Sequence, residues 1–165
     1  MKRTLTEDEG LRMEALVHIV FSLQICQYQK RCGRFCSFEQ PTRAASWHLD
    51  IVQDILQGRH MSIMPATGGM VLQPMGLFNF DSCCWGHVDP GNGKLYKKAQ
   101  RSASNGDMST LCLRCAGGHV HQVVEGVVCG GPRHGARRSV VAGEYPNDFC
   151  MAWATVIKNC RPLAA

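Results

Sequence analysis

The run Cys115-Ala116-Gly117-Gly118-His119-Val120-His121 crowds one thiol and two imidazoles into seven residues around a Gly-Gly pair. Few side chains other than Cys and His bind transition metals well, so whatever fold this chain adopts must either close these groups on an ion or hold them as a polar turn. If the segment is locally extended, His119 and His121 project to the same side, because side chains alternate along a strand. They are then placed to hold a metal, a phosphate or a core carboxylate, and the carboxylate is the expectation.

The chain has 165 residues, 45% hydrophobic content and a formal net charge of +5. Its length suits one domain with a sizeable core. The positive balance permits nucleic-acid contact without demanding it. It is densest at Lys94, Lys97, Lys98 and Arg101, and at Arg133, His134, Arg137 and Arg138, and such clusters are as a rule solvated faces. Ten cysteines suit a disulfide framework. However, the first fourteen residues carry Glu7, Asp8, Glu9 and Glu14, unlike a secretory signal. An intracellular setting, cytoplasmic or nuclear, with mostly free and buried thiols, is therefore expected. No apolar stretch reaches the length of a membrane span.

Thr6 and Glu9 form a capping-box pattern ahead of Leu11, Ala15, Leu16, Ile19, Val20 and Leu23 at helical spacing. This predicts a helical extension over residues 7–30. A short strand over 34–39 stops at Pro41. Trp47, Ile51, Val52, Ile55 and Leu56 mark a second helix, with Gly58 at its C-terminal cap. Residues 59–74 read as a loop or insertion. Residues 76–82 read as a buried strand, 89–93 as a turn and 94–104 as a polar edge strand. A short helix through Leu113, a hairpin turning at Glu125-Gly126, and a last helix with Phe149, Cys150, Trp153, Ala154 and Ile157 on its inner face complete the pattern. Strands alternating with helices predict a single α/β domain.

Zinc can be assembled from these residues in more than one way. Cys84-x2-His87 and Cys112-x2-Cys115 are two knuckle-like pairs, with Cys83, His119, His121 and Cys129 as spare donors. A nucleobase deaminase needs His-x-Glu and Pro-Cys-x-x-Cys; here His87 is followed by Val88-Asp89, and Leu111 stands at the Pro position. A retroelement integrase zinc domain lacks its second His. Cys83 or Cys84 beside His87 offers a thiolate–imidazolium pair, but nothing marks an orienting third group. No dinucleotide, phosphate-loop or serine-hydrolase motif is present.

The order of short motifs extends over most of the chain. Gly33-Arg34-Phe35 leads to Phe38-Glu39-Gln40-Pro41 and Ala45-Ser46-Trp47. Phe80-Asp81-Ser82-Cys83, Gly86, Lys94-Leu95-Tyr96-Lys97-Lys98-Ala99 and Ser104-Asn105 follow. Then come the Cys115–His121 run, Glu125-Gly126, Tyr145-Pro146 and Phe149-Cys150. This series resembles a segment of retrotransposon-derived Pol-type polyproteins of protists. The resemblance implies an α/β fold, a partial Rossmann-like layered sheet with flanking helices, like the later half of a methyltransferase-like domain. It points to Glu39, at a strand end, as a site residue, with Asp81, Lys98, His119 and His121 near it. Departures are Gln40, Ala99-Gln100 and Ala103-Ser104. No glycine-rich cofactor loop precedes them, so no cofactor and no catalysis by the chain alone are expected.

The expectations are thus a non-catalytic, polyprotein-derived domain with weak nucleic-acid affinity, partnered by other parts of a polyprotein and not by a membrane. The alternative is a small zinc-stabilised interaction module, with ligands drawn from Cys84, His87, Cys112, Cys115, His119 and His121.

Overall fold

A computed structural model of the chain describes residues 5–59 and 74–160. Helix α1 (Leu5–Arg31) leads to β1 (Ser37–Pro41), a 3-10 turn (Ala45–His48) and α2 (Asp50–Leu56). Strand β2 (Gly76–Asp81) runs into a second 3-10 turn (Ser82–Trp85). Next are β3 (Leu95–Tyr96), β4 (Ala99–Ser104), a third 3-10 turn (Ser109–Leu111), β5 (His121–Gln122), α3 (Arg138–Val141) and α4 (Asn147–Asn159). The insertion expected over 59–74 lies, except for its two end residues, outside the described residues.

The main sheet has the order β1-β4-β2 and is antiparallel throughout. A Rossmann-like half would set its strands parallel, with helical crossovers. What holds of the expected fold is the coarser statement: helices flank a sheet in a mixed α and β chain. The polar strand expected at an edge is instead the centre of the sheet. Ala103 of β4 pairs with Phe38 of β1 on one side and with Leu77 of β2 on the other.

Alternation along the strands separates two cores. On one face Phe38 and Ala103 meet Leu23 and Cys26 of α1, Trp47, and Val52 and Ile55 of α2. The Trp47 indole donates to the Pro41 carbonyl at 2.9 Å, and its ring meets Phe38 edge-on at 5.6 Å. Half of the expected extension is therefore built into the core. On the other face Phe80 stacks on Phe149 of α4 at 4.7 Å, with Trp85, Tyr145 and Trp153 around them. Gln100, Ser102 and Ser104 of β4 are buried on this side. Each is bonded: Ser82 Oγ to Gln100, Ser102 Oγ to the Met108 sulfur, and Ser104 Oγ to the Cys36 carbonyl. A strand can be polar and central when its hydroxyls and amides find such partners.

The 89–93 turn forms as expected around Asp89, which is 0% exposed. Its carboxylate accepts the Gly91 amide at 2.8 Å, the Arg138 Nε at 2.6 Å and the Tyr96 hydroxyl at 3.3 Å. Burial pushes this carboxyl upward, but Arg138 and the two hydrogen bonds outweigh it and hold it below the usual carboxylate range. The hairpin expected at Glu125-Gly126 does not form. Its first arm contributes β5, which pairs in parallel with β3, and Val127 bridges to Arg137.

Candidate metal centre

Two chain segments carry four donors to one point. The first leaves β2 and turns sharply through Ser82–Trp85. The Ser82 amide donates to the Lys98 carbonyl at 2.9 Å, and Gly86 closes the turn at φ 71, a conformation that favours glycine. Cys83 is thereby buried at the sheet end. The second segment runs beside the end of β2. The Asp81 amide donates to the Leu113 carbonyl at 2.9 Å, and the Cys115 amide donates back to Asp81 Oδ2 at 2.9 Å. Arg114 pairs with the same oxygen at 3.0 Å. Gly117 and Gly118, both at φ 85, then reverse the chain. His121 enters β5 opposite Leu95, where the Gln122 carbonyl accepts the Lys97 amide at 2.9 Å.

This path brings Cys83, Cys115, His119 and His121 together, their ligand atoms all within 4.8 Å of one another. His119 Nε2 lies 2.9 Å from His121 Nε2. Cys115 Sγ lies 3.5 Å from His121 Nε2 and 3.8 Å from His119 Nε2. A regular tetrahedron built on ordinary Zn–S and Zn–N bonds has S···N edges of about 3.6 Å and N···N edges of about 3.3 Å. The observed separations differ from these edges by a few tenths of an ångström. The Gly117 amide points at Cys115 Sγ from 3.4 Å. Burial, the Cys115 thiol and Cys84 push the Cys83 thiol up to about 12. Without a cation such a thiol keeps its proton; a divalent cation makes the thiolate the favoured form. Two thiols and two imidazoles suit zinc. Four protein donors would complete its tetrahedron and leave no position for a reacting water, the arrangement of structural sites.

Of the expected ligands, Cys115, His119 and His121 belong to this group. Cys84, His87 and Cys112 do not. Cys112 ends a 3-10 turn and turns its sulfur to the Met108 carbonyl at 3.7 Å. His87 is buried edge-on against Tyr96 at 5.1 Å, and burial together with the Lys98 charge lowers its pKa. It is a neutral core histidine. The expectation that His119 and His121 hold a core carboxylate also fails, since they face two thiols. Cys83, only a spare donor in the sequence, is the buried member of the set. Its signal was the Phe80-Asp81-Ser82-Cys83 motif itself.

The other candidates separate. Asp81 anchors the Cys115 turn. Glu39 sits in β1 on the α4 face, where one carboxylate oxygen accepts Gln100 Nε2 at 2.8 Å and the other accepts the Tyr145 hydroxyl at 2.5 Å. Lys98 donates to the Ala142 carbonyl at 2.7 Å and lies 5.4 Å from the centre of the Tyr145 ring. Burial lowers the Lys98 pKa against the opposing pull of Glu39, and burial plus the Glu39 carboxylate raise that of Tyr145. Glu39 is the hub of a satisfied network tying Tyr145, just before α4, to the sheet. Its partners Tyr145 and Gln100 stand in the sequence as a motif residue and a departure from the motif series, not as expected site residues.

No protein-family model matches the chain, and neither does any curated protein or solved structure. Among the described residues no helix is long and apolar enough to cross a membrane.

Proposed function

We propose that this chain is a zinc-stabilised, non-catalytic α/β module of retrotransposon-polyprotein descent. The observation that carries the zinc reading is the convergence of Cys83, Cys115, His119 and His121 within 4.8 Å of one another, with Cys115, His119 and His121 at near-tetrahedral separations. The ion ties the end of β2 to the turn before β5. It would add to the hydrogen bonds of Asp81 with Leu113 and Cys115 and to the short β3–β5 pairing, two residues on each strand. The absence of catalysis is supported by the closed ligand set and by the fully bonded Glu39.

The proposed descent rests on motif order, and the placement of the motifs is consistent with one inherited unit. Glu39 and Lys98 gather around Tyr145, and Asp81, Cys83 and the Cys115–His121 run gather around the ion site. The antiparallel sheet lends no support to a methyltransferase-like ancestry. Nucleic-acid contact is the weaker part of the proposal, because Arg101, Arg133 and Arg138 are bonded to Asn79, Glu144 and Asp89. Lys94, Lys97 and Arg137 remain as phosphate contacts, weak and salt-sensitive.

The test is metal analysis of protein purified in reductant and dialysed. One zinc per chain is expected, together with loss of cooperative thermal unfolding when a strong chelator is added. Metal-free protein that unfolds cooperatively would reject the zinc module.

A further inference from the structure

Two cysteines far from the ion site meet where α1 packs on the sheet. Cys26, on the buried side of α1, and Cys36, the residue before β1, are 5% and 6% exposed. The Cys26 Sγ lies 3.8 Å from the Ser37 carbonyl, and the two thiols share a hydrogen bond. Cys36 is fixed from its other side. Its amide donates to Asn105 Oδ1 at 2.8 Å, and its carbonyl accepts the Ser104 hydroxyl at 3.1 Å. Both cysteines line a groove of about 560 Å³, bordered by Phe21, Ile25, Phe35 and Ile157, which gives a small solute a way in. A buried thiol is inert unless its surroundings favour the thiolate. Here the hydrogen bond with Cys26 holds the Cys36 thiol below its usual range; burial opposes this, and the Lys30 charge and the Asn105 amide reinforce it. The same hydrogen bond, together with burial, pushes the Cys26 thiol upward. One sulfur is thereby a nucleophile and its neighbour a proton donor.

We propose that Cys36 is a site of oxidation by small hydroperoxides, and that Cys26 resolves the product into a disulfide joining α1 to the sheet. A low-lying thiolate beside a second thiol is the arrangement that reversible thiol oxidation requires. In the first step the Cys36 thiolate attacks the terminal peroxide oxygen. An S–O bond forms, the O–O bond breaks, and the departing alkoxide or hydroxide takes a proton from solvent. Cys36 is then a sulfenic acid. In the second step the Cys26 sulfur attacks the Cys36 sulfur. The S–S bond forms, the S–O bond breaks, and hydroxide leaves as water with the Cys26 proton. Two thiols are oxidised by two electrons, and the peroxide is reduced to an alcohol and water, or to two waters from hydrogen peroxide. A dithiol reductant reverses the change. The proposal uses none of the four ion-site donors, so it stands apart from the zinc reading.

The test is treatment of the reduced full chain, freed of reductant, with one equivalent of hydrogen peroxide, followed by alkylation and peptide mapping. Cys26 and Cys36 should lose their alkylatable thiols together and appear in one linked peptide lighter by two hydrogens, and dithiothreitol should restore both. They should react several times faster than Cys32, Cys129 and Cys150, although those three are exposed. In Cys26→Ser the reaction should stop at a Cys36 sulfenic acid, trapped by a 1,3-dione. In Cys36→Ser the Cys26 thiol should stay reduced. The wild-type map alone decides the matter if either variant folds poorly. Cys26 and Cys36 still reduced after other thiols are consumed, a link from either to a different cysteine, or oxidation of Cys26 in Cys36→Ser would overturn the proposal.

Discussion

Asp81 touches no donor-to-ion path, yet it should govern zinc affinity. Its Oδ2 accepts the Cys115 amide at 2.9 Å and the Arg114 Nε at 3.0 Å. Asp81→Ala removes the acceptor that fixes where Cys115 leaves the chain beside β2. Losing a group that orients a ligand costs about 10- to 100-fold in metal affinity, or about 1.4–2.7 kcal/mol. The ion pair contributes little of this. The Arg114 side chain is 55% exposed, and exposed pairs contribute about 0–1 kcal/mol. Arg114→Ala should therefore change affinity by less than about fivefold, and Asp81→Asn, which keeps an oxygen acceptor, should fall between the two. The assay is competition for zinc against a chromophoric chelator of known affinity at fixed pH. Unchanged affinity in Asp81→Ala would refute the amide anchor. An equal loss in Arg114→Ala would show that charge, not position, is what matters.

Three further outcomes follow from the geometry. Phe149 is 1% exposed and contacts Phe80, Trp85, Tyr145 and Trp153, so Phe149→Ala should cost about 3–5 kcal/mol in urea unfolding; a loss below about 1 kcal/mol would mean that α4 does not seal that face. Arg138→Met, which strips the buried Asp89 of its cation, should lower the thermal midpoint more than Arg133→Met, whose partner Glu144 is exposed. Because Asp89 is held below the ordinary carboxylate range, its stabilisation is complete above that range and is lost as pH falls through the depressed value; Arg138→Met should move the acid edge of stability to higher pH, and an unmoved edge would count against the pair. Zinc uptake should release at least the Cys83 proton, since that thiol is pushed up to about 12, so the apparent affinity should rise with pH; uptake without proton release in weak buffer would exclude Cys83 as a ligand.

Helices were the most legible part of the sequence, because a 3.6-residue apolar period survives without knowledge of partners. The expected 7–30 helix is α1, and Trp47 to Leu56 is a 3-10 turn followed by α2. Strand β4 was misjudged because Gln100, Ser102 and Ser104 look like an edge, and only the tertiary fold supplies their bonds. The ion site was half legible. Cys115, His119 and His121 are local, and the Gly117-Gly118 turn between them brings them together. Cys83 comes from another segment, and the x2 spacings point as readily to Cys84, His87 and Cys112, which lie outside the group. The bond between Asp81 and the Cys115 amide, which carries Cys115 to Cys83, has no local signature.

The central claim is that two thiols and two imidazoles share one ion. Zinc-edge X-ray absorption of the purified chain, alongside Cys83→Ser, measures this directly. The account predicts two sulfurs at about 2.3 Å and two nitrogens at about 2.0 Å, falling to one sulfur in the variant. A shell of four sulfurs, or a spectrum unchanged by Cys83→Ser, would contradict it.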